Sequence, residues 1–163
     1  MENFNDSTNS IKDFFTVLVR KECWAATAGN GSMVSLDFGE KILRPRPLSN
    51  PKLPEEVRNF NAEFVVFVYG GARWTINNGD VVVCTNDDNN ARGGPMDLGV
   101  NLLVGKRLLS THLAKDYLAL NLNFDDDLCL QLRCRTKGMT GYFLLHKGRE
   151  VATVGGDTHL DPS

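Results

Sequence analysis

Two stretches of the chain gather side chains with chemical capacity. The first is the run NDDNNARGG, where Asp87 and Asp88 stand among Asn86, Asn89 and Asn90, with Arg92 following. Carboxylate and amide oxygens at this density are what calcium or magnesium accepts. Register argues against a calcium loop of the EF-hand type, because a start at Asp88 puts Arg92 where an acid or amide is required. No metal or other cofactor is therefore expected, and Asp87, Asp88 and Arg92 are read as contacts for a partner.

The second stretch, GEKILRPRPLSNPKLPEEVRN, carries Lys41, Arg44, Arg46, Lys52 and Arg58 against Glu40, Glu55 and Glu56. Its four prolines argue against any regular element and predict a long surface loop. A loop stiffened by proline loses less entropy on docking, so Arg44, Arg46 and Lys52 join the candidate partner contacts. The small positive surplus has no aromatic residue interleaved to stack on bases, which makes nucleic acid the weaker reading.

Catalytic signatures are missing from the rest of the chain. The histidines are His112, His146 and His159, and neither GxSxG nor HExxH occurs, so no catalytic residue is assigned. Cys23, Cys84, Cys129 and Cys134 form no CxxC pair, and the last two fall on opposite faces of one strand; reduced structural thiols are expected. Gly70-Gly71 and Gly93-Gly94 lack the spacing of a phosphate loop and read as turns. Alternation turns Trp74 inward with Ile76 and leaves Arg73 outside.

The elements that must position these residues follow from periodicity. SIKDFFTVLVRK places Ile11, Phe14, Phe15 and Leu18 on one helical face, with Ser10 as N-cap. CWAATA and MVSLDF read as a hairpin, and AEFVVFVY, apolar on both parities, as a central strand covered on both faces. Asn78-Gly79 predicts a primed turn, both residues with positive φ, joining Trp74–Ile76 to Val81–Cys84. PMDLGVNLLVGK reads as a second helix weakened by Gly99. YLALNLNF and LCLQLRC read as paired strands around Asp125–Asp127, and YFLLH with VATVG as a last hairpin.

The chain also resembles itself. LVRKECWAATAGNGSMVSLDFGEKI lies over LVGKRLLSTHLAKDYLALNLNFDDDL with a single one-residue gap, matching Lys21 to Lys106 and Val34, Leu36 and Phe38 to Leu120, Leu122 and Phe124. The expected fold class is α+β: two short helices on a mainly antiparallel, strand-rich body built from two similar halves, 10–85 and 95–155. They form a single domain over 10–156, between a disordered segment 1–9 and a polar tail 157–163. The Asn/Asp-rich run then becomes the connector between halves.

A chain of 163 residues with 42% hydrophobic residues suits one globular domain with a real core. A net charge of -2 gives no global attraction to nucleic acid or to an anionic membrane. The opening MENFNDSTNS lacks the features of a secretory signal, and cytoplasmic residence is the expectation.

Trp24, GNGSMVSLDFG, RPRPLSNPKLPEEVRNF, Glu63, the ARW at 72–74 and LVGK together resemble a group of small bacterial single-domain proteins of unknown function. The resemblance spans most of the chain and implies a bacterial origin, but no chemistry. The function expected is a non-enzymatic protein-binding protein, in concrete form an immunity protein that neutralises a toxin. The alternatives are a small hydrolase-like enzyme with its site between the halves, and a nucleic-acid-binding regulatory module.

Overall fold

The computed structural model describes residues 10–29, 31–135 and 140–155. The segment 1–9, the tail 157–163 and the side chain of Ser10, read above as disordered, polar and capping, lie outside the described residues. In chain order the elements are α1 (Ser10–Leu18), β1 (Cys23–Ala28), β2 (Val34–Leu43), α2 (Glu55–Asn59), β3 (Phe60–Val68), β4 (Ala72–Asn78), β5 (Val81–Thr85) and α3 (Pro95–Asn101). They continue with β6 (Leu108–Leu113), β7 (Ala119–Phe124), a 3-10 turn (Asp125–Asp127), β8 (Leu128–Cys134), β9 (Tyr142–His146) and β10 (Arg149–Val154).

The strands form two five-stranded antiparallel sheets, the first ordered β1-β2-β3-β9-β10 and the second β5-β4-β8-β7-β6. The fold is α+β with a strand-rich body. One apolar core joins the two: Val34, Leu36, Phe38, Val66 and Leu144 of the first sheet cluster with Trp74, Ile76, Leu120, Leu122 and Leu130 of the second. Alternation fixes which parity turns inward, since every buried residue of β2, β7 and β8 is two positions from the next.

Read as two halves, the topology is the same path twice. Each half runs helix, three strands of one sheet, then a hairpin that crosses to the other sheet: β4-β5 completes the second sheet, and β9-β10 completes the first. The registers agree in detail. β1 and β2 slip register between Cys23 and Ala25, and β6 and β7 slip between Leu108 and Ser110. The hairpins β4-β5 and β9-β10 slip at matching places, between Ile76 and Asn77 and between Glu150 and Ala152. Ile11, Phe14, Phe15 and Leu18 of the first half correspond to Met96, Gly99, Val100 and Leu103 of the second, and all eight are buried.

The halves meet on an approximate two-fold axis marked by four backbone bonds. Arg20 N donates to Leu108 O (2.6 Å) and Gly105 N to Cys23 O (2.7 Å); Cys23 N donates to Lys106 O (2.8 Å) and Leu108 N to Lys21 O (3.0 Å). Glu22 and Arg107 pair between them. Arg20 and Gly105, corresponding residues, both have positive φ, 77° and 82°. On the same axis the corresponding rings of Phe38 and Phe124 stack, centroids 6.3 Å apart and planes 14° from parallel. Two more corresponding residues, Trp74 and Tyr142, reach across the core: Trp74 Nε1 donates to Ser32 O (2.9 Å) and Tyr142 Oη to Tyr117 O (2.8 Å).

Three expectations are corrected. Asn78 pairs with Val81 as the last residue of β4, so the tight turn centres on Gly79-Asp80, and Gly79 alone has positive φ (58°). The corresponding turn, Lys147-Gly148, is the one with both residues positive (51° and 78°). The proline-rich stretch is not free of regular structure: β2 runs on through Leu43, and Glu55–Asn59 form α2 directly after Pro54, where proline suits a helix start. Finally, β3 is central, but its outward parity is only half-buried.

Gly99 is more than a weak point in α3. A Cβ built there would lie 2.3 Å from Cys84 Sγ, so the helix approaches β5 as closely as glycine allows. Gly99→Ala should therefore destabilise the fold by about 1–3 kcal/mol despite alanine's better helix propensity, and Cys84→Ala in the same chain should restore part of that loss, since Cys84 Cβ stays 2.9 Å from the new methyl group. Urea unfolding of the single and double variants measures both.

Candidate functional site

The outward face of the second sheet forms an open groove of about 600 Å³. Strand pairing explains its lining. Thr85, Thr75, Gln131, Asn121 and His112 are successive cross-strand neighbours, one from each of β5, β4, β8, β7 and β6. At about 4.8 Å per strand this row is roughly 19 Å long. Each residue has outward parity, opposite to the core positions Ile76, Leu120, Leu122 and Leu132. Beside the row, Arg73 of β4 and Arg133 of β8 stand directly opposite each other. Both are exposed and line the groove, as does Asp87 at the β5 end.

The groove crosses the β4-β8 boundary, where a strand of the first half meets one of the second. It thus lies at a seam between halves, on the outside of a sheet rather than between the sheets. Local bonds set its β5 rim: Asn86 Oδ1 accepts from Trp74 N (2.9 Å), Asp88 Oδ2 from Thr85 N (2.7 Å), and Asp87 N donates to Thr85 Oγ1 (3.1 Å). The Asn/Asp-rich run is thereby the connector from β5 to α3. Asn90 Nδ2 ties it to Gly31 O (2.6 Å), and Asp97 accepts from Gly93 N (2.8 Å).

Of the residues singled out in the sequence, Asp87 lines the groove, Asp88 is committed to the turn, and Arg92 is exposed on the connector. Arg44, Arg46 and Lys52 belong to a different surface, the proline-rich loop attached to the first sheet. Arg46 and Lys52 are exposed there, whereas Arg44 is tied down, its Nε donating to Val57 O (3.1 Å) and its N to Asn59 O (2.8 Å). The loop packs Val57 and Leu53 onto Trp24, Ala25 and Ala62, and Lys41 Nζ sits 5.2 Å from the Trp24 ring centre and pairs with Glu56. It is a docked cover.

The same rows on the first sheet carry different chemistry. The positions of Thr85, Thr75, Gln131, Asn121 and His112 are held there by Thr153, Phe143, Phe67, Ser35 and Thr27. Gly141 and Tyr69 stand where the second sheet has Arg73 and Arg133. Phe67 and Phe143 stack at 4.9 Å, with Tyr69 tilted against both. One outer face is aromatic and the other is polar and basic.

All four cysteines are free thiols, and burial pushes their pKa up: Cys84 to about 11, Cys134 to about 12, Cys23 and Cys129 in the same direction. None is poised as a thiolate. His112 has Asn121 as its cross-strand neighbour, an amide that cannot relay a proton. His146 sits against the Phe64 ring (4.8 Å), and burial lowers its pKa against the opposing pull of Glu63. Among the described residues no group of three His, Cys, Asp or Glu side chains is placed to hold a metal ion, and no helix is long and apolar enough to cross a membrane.

Nothing in the sequence reading named Thr75, Asn121, Gln131 or Arg133. The signal was present in the outward parity of ALNLNF and LCLQLRC, where neutral amides stand at places that an ordinary solvated strand fills with Lys, Glu or Thr. Comparison with protein-family models, with curated proteins and with solved structures finds no match, so the groove must be interpreted from its own geometry.

Asp37 supplies a pH test of the opposite face. Burial raises its carboxyl to about 6, against the lowering pull of the Arg44 guanidinium and the Ser35 hydroxyl. Because this value exceeds that of the unfolded chain, the folded state keeps a proton that the unfolded state releases. The stabilisation is complete below about pH 4 and is lost as pH rises through about 6, by up to ~3 kcal/mol. Asp37→Asn should raise stability at pH 7.5 and leave it unchanged near pH 4, as measured by denaturant titration at both values.

Proposed function

We propose that the protein is a non-enzymatic binder of another protein and that the outward face of the second sheet is its contact surface. The observation that carries this reading is the uninterrupted row Thr85–Thr75–Gln131–Asn121–His112, one hydrogen-bonding side chain from every strand of the sheet. Amide side chains both donate and accept, which suits a peptide backbone, and they do not titrate, which suits recognition rather than proton transfer. A rigid sheet holds them in register, so little entropy is lost on docking. An immunity protein that occupies the cleft of a toxin is the concrete form of this reading, and its place would be the cytoplasm of a bacterium.

The test is occupancy of the groove. Gln131→Trp puts a bulky ring at its centre without touching the core. Wild-type protein used as bait in a lysate of its own cell should retain one protein at close to equimolar yield, and the Gln131→Trp bait, equally folded by thermal unfolding, should not. Retention of the same protein by both baits, or of none by either, refutes the assignment.

A further inference from the structure

The groove contains an arrangement that the bare fold does not require. Arg73 and Arg133 face each other across β4 and β8, and like charges directly opposed on a sheet are destabilising. No ion pair joins either guanidinium to a carboxylate among the described residues, where the salt bridges are Lys41–Glu56 and Lys106–Asp126. Asp87, the one acid in the lining, makes its hydrogen bonds within its own turn, and Asp116, on the loop between β6 and β7, accepts from Leu118 N (3.0 Å). The corresponding positions of the first sheet hold Gly141 and Tyr69, so the fold is built on these strands without the two cations. In a chain of net charge -2, two cations thus stand side by side in a lining whose one acid is Asp87.

We infer that the arginine pair is a carboxylate clamp, and that the groove takes an extended acidic segment of a polypeptide. The guanidinium fork matches a carboxylate in two parallel bonds, and two forks side by side accommodate neighbouring acidic side chains. Gln131, Asn121 and Thr75, next to the clamp, supply donors and acceptors for the segment's backbone. A single-stranded nucleic acid would need a run of rings to stack on; Trp74 in this lining is 1% exposed with its Nε1 already bonded inward, which leaves the His112 imidazole alone at the β6 end of the row. This inference rests on the protein-binding reading and specifies the chemistry of the partner.

The probes are a fluorescein-labelled hexaglutamate peptide flanked by Gly-Ser, its hexaglutamine counterpart, and an octauridylate RNA, each titrated by fluorescence anisotropy at about 50 mM salt, where surface charge is weakly screened. Hexaglutamate should bind saturably. Arg73→Gln and Arg133→Gln should each weaken it about tenfold, with the fold unchanged by thermal unfolding, and added salt should weaken it steeply. The clamp is refuted if hexaglutamate fails to saturate, if hexaglutamine binds as tightly, if the RNA binds more tightly, or if both arginine variants bind like wild type. A partner that the groove captures, that Gln131→Trp loses and that Arg73→Gln with Arg133→Gln keeps would leave protein binding standing and remove the clamp alone.

Discussion

The contact on which the rest of the structure depends is the short antiparallel pairing of residues 20–23 with residues 105–108. Four backbone bonds there join the leading edges of β1 and β6, and with them one sheet to the other. Because each bond has a counterpart under exchange of the halves, the pairing sets the axis about which everything else is arranged. Phe38 and Phe124 stack on that axis. Both helices leave it in equivalent directions, α1 to lie near β6 and β10, and α3 near β1 and β5. A satisfied hydrogen bond contributes only about 1 kcal/mol net, and of these eight residues Cys23 and Leu108 alone are buried, so the pairing constrains geometry more than it adds stability.

The repeated topology makes the molecule its own control. Where the halves agree, the cause is packing: the buried helix positions, the register slips and the two long aromatic donors recur because one core geometry requires them. Where they differ, packing is not the explanation. The outer row of the first sheet is aromatic, and the proline-rich loop, which replaces the three-residue turn Asp125–Asp127 of the second half, covers Trp24, Ala25 and Val65 beside it. Among the described residues no such loop covers the second sheet, and its row is hydroxyl, amide and imidazole with two guanidinium groups beside it. One scaffold has therefore been given two surfaces, and the uncovered polar one presents the hydrogen-bonding groups.

Much of the fold was legible in the sequence because inward positions obey strict periodicity. Leu120, Leu122 and Phe124 could be matched to Val34, Leu36 and Phe38 before any coordinates, since burial tolerates few residue types. The hairpin exchange was not legible, because a hairpin reads the same whichever sheet it joins; only tertiary contact tells β3 to pair with β9. The short helix after Pro54 was hidden by its prolines, which block a helix interior but suit its start. The groove was hidden for a further reason. Its residues come one from each strand, separated by up to dozens of positions in the chain, and they sit on the parity that periodic analysis treats as solvent-facing background. Of the charged residues that drew attention first, Asp87 reached the groove; Asp88 and Arg44 are held by backbone bonds.

The exchanged hairpins have a consequence for how the chain reaches its native state. Before residues 95–155 are in place, β1, β2 and β3 present an edge with no neighbour, and β4-β5 have no sheet to join. Both deficits are filled only after β8, β9 and β10 arrive. Each half lacks two strands of the sheet it begins, so the native sheets depend on contacts between residues far apart in the chain, and topologies of that kind fold slowly. Until then an open strand edge is exposed, and early association with a chaperone or a partner would protect the nascent chain from aggregation.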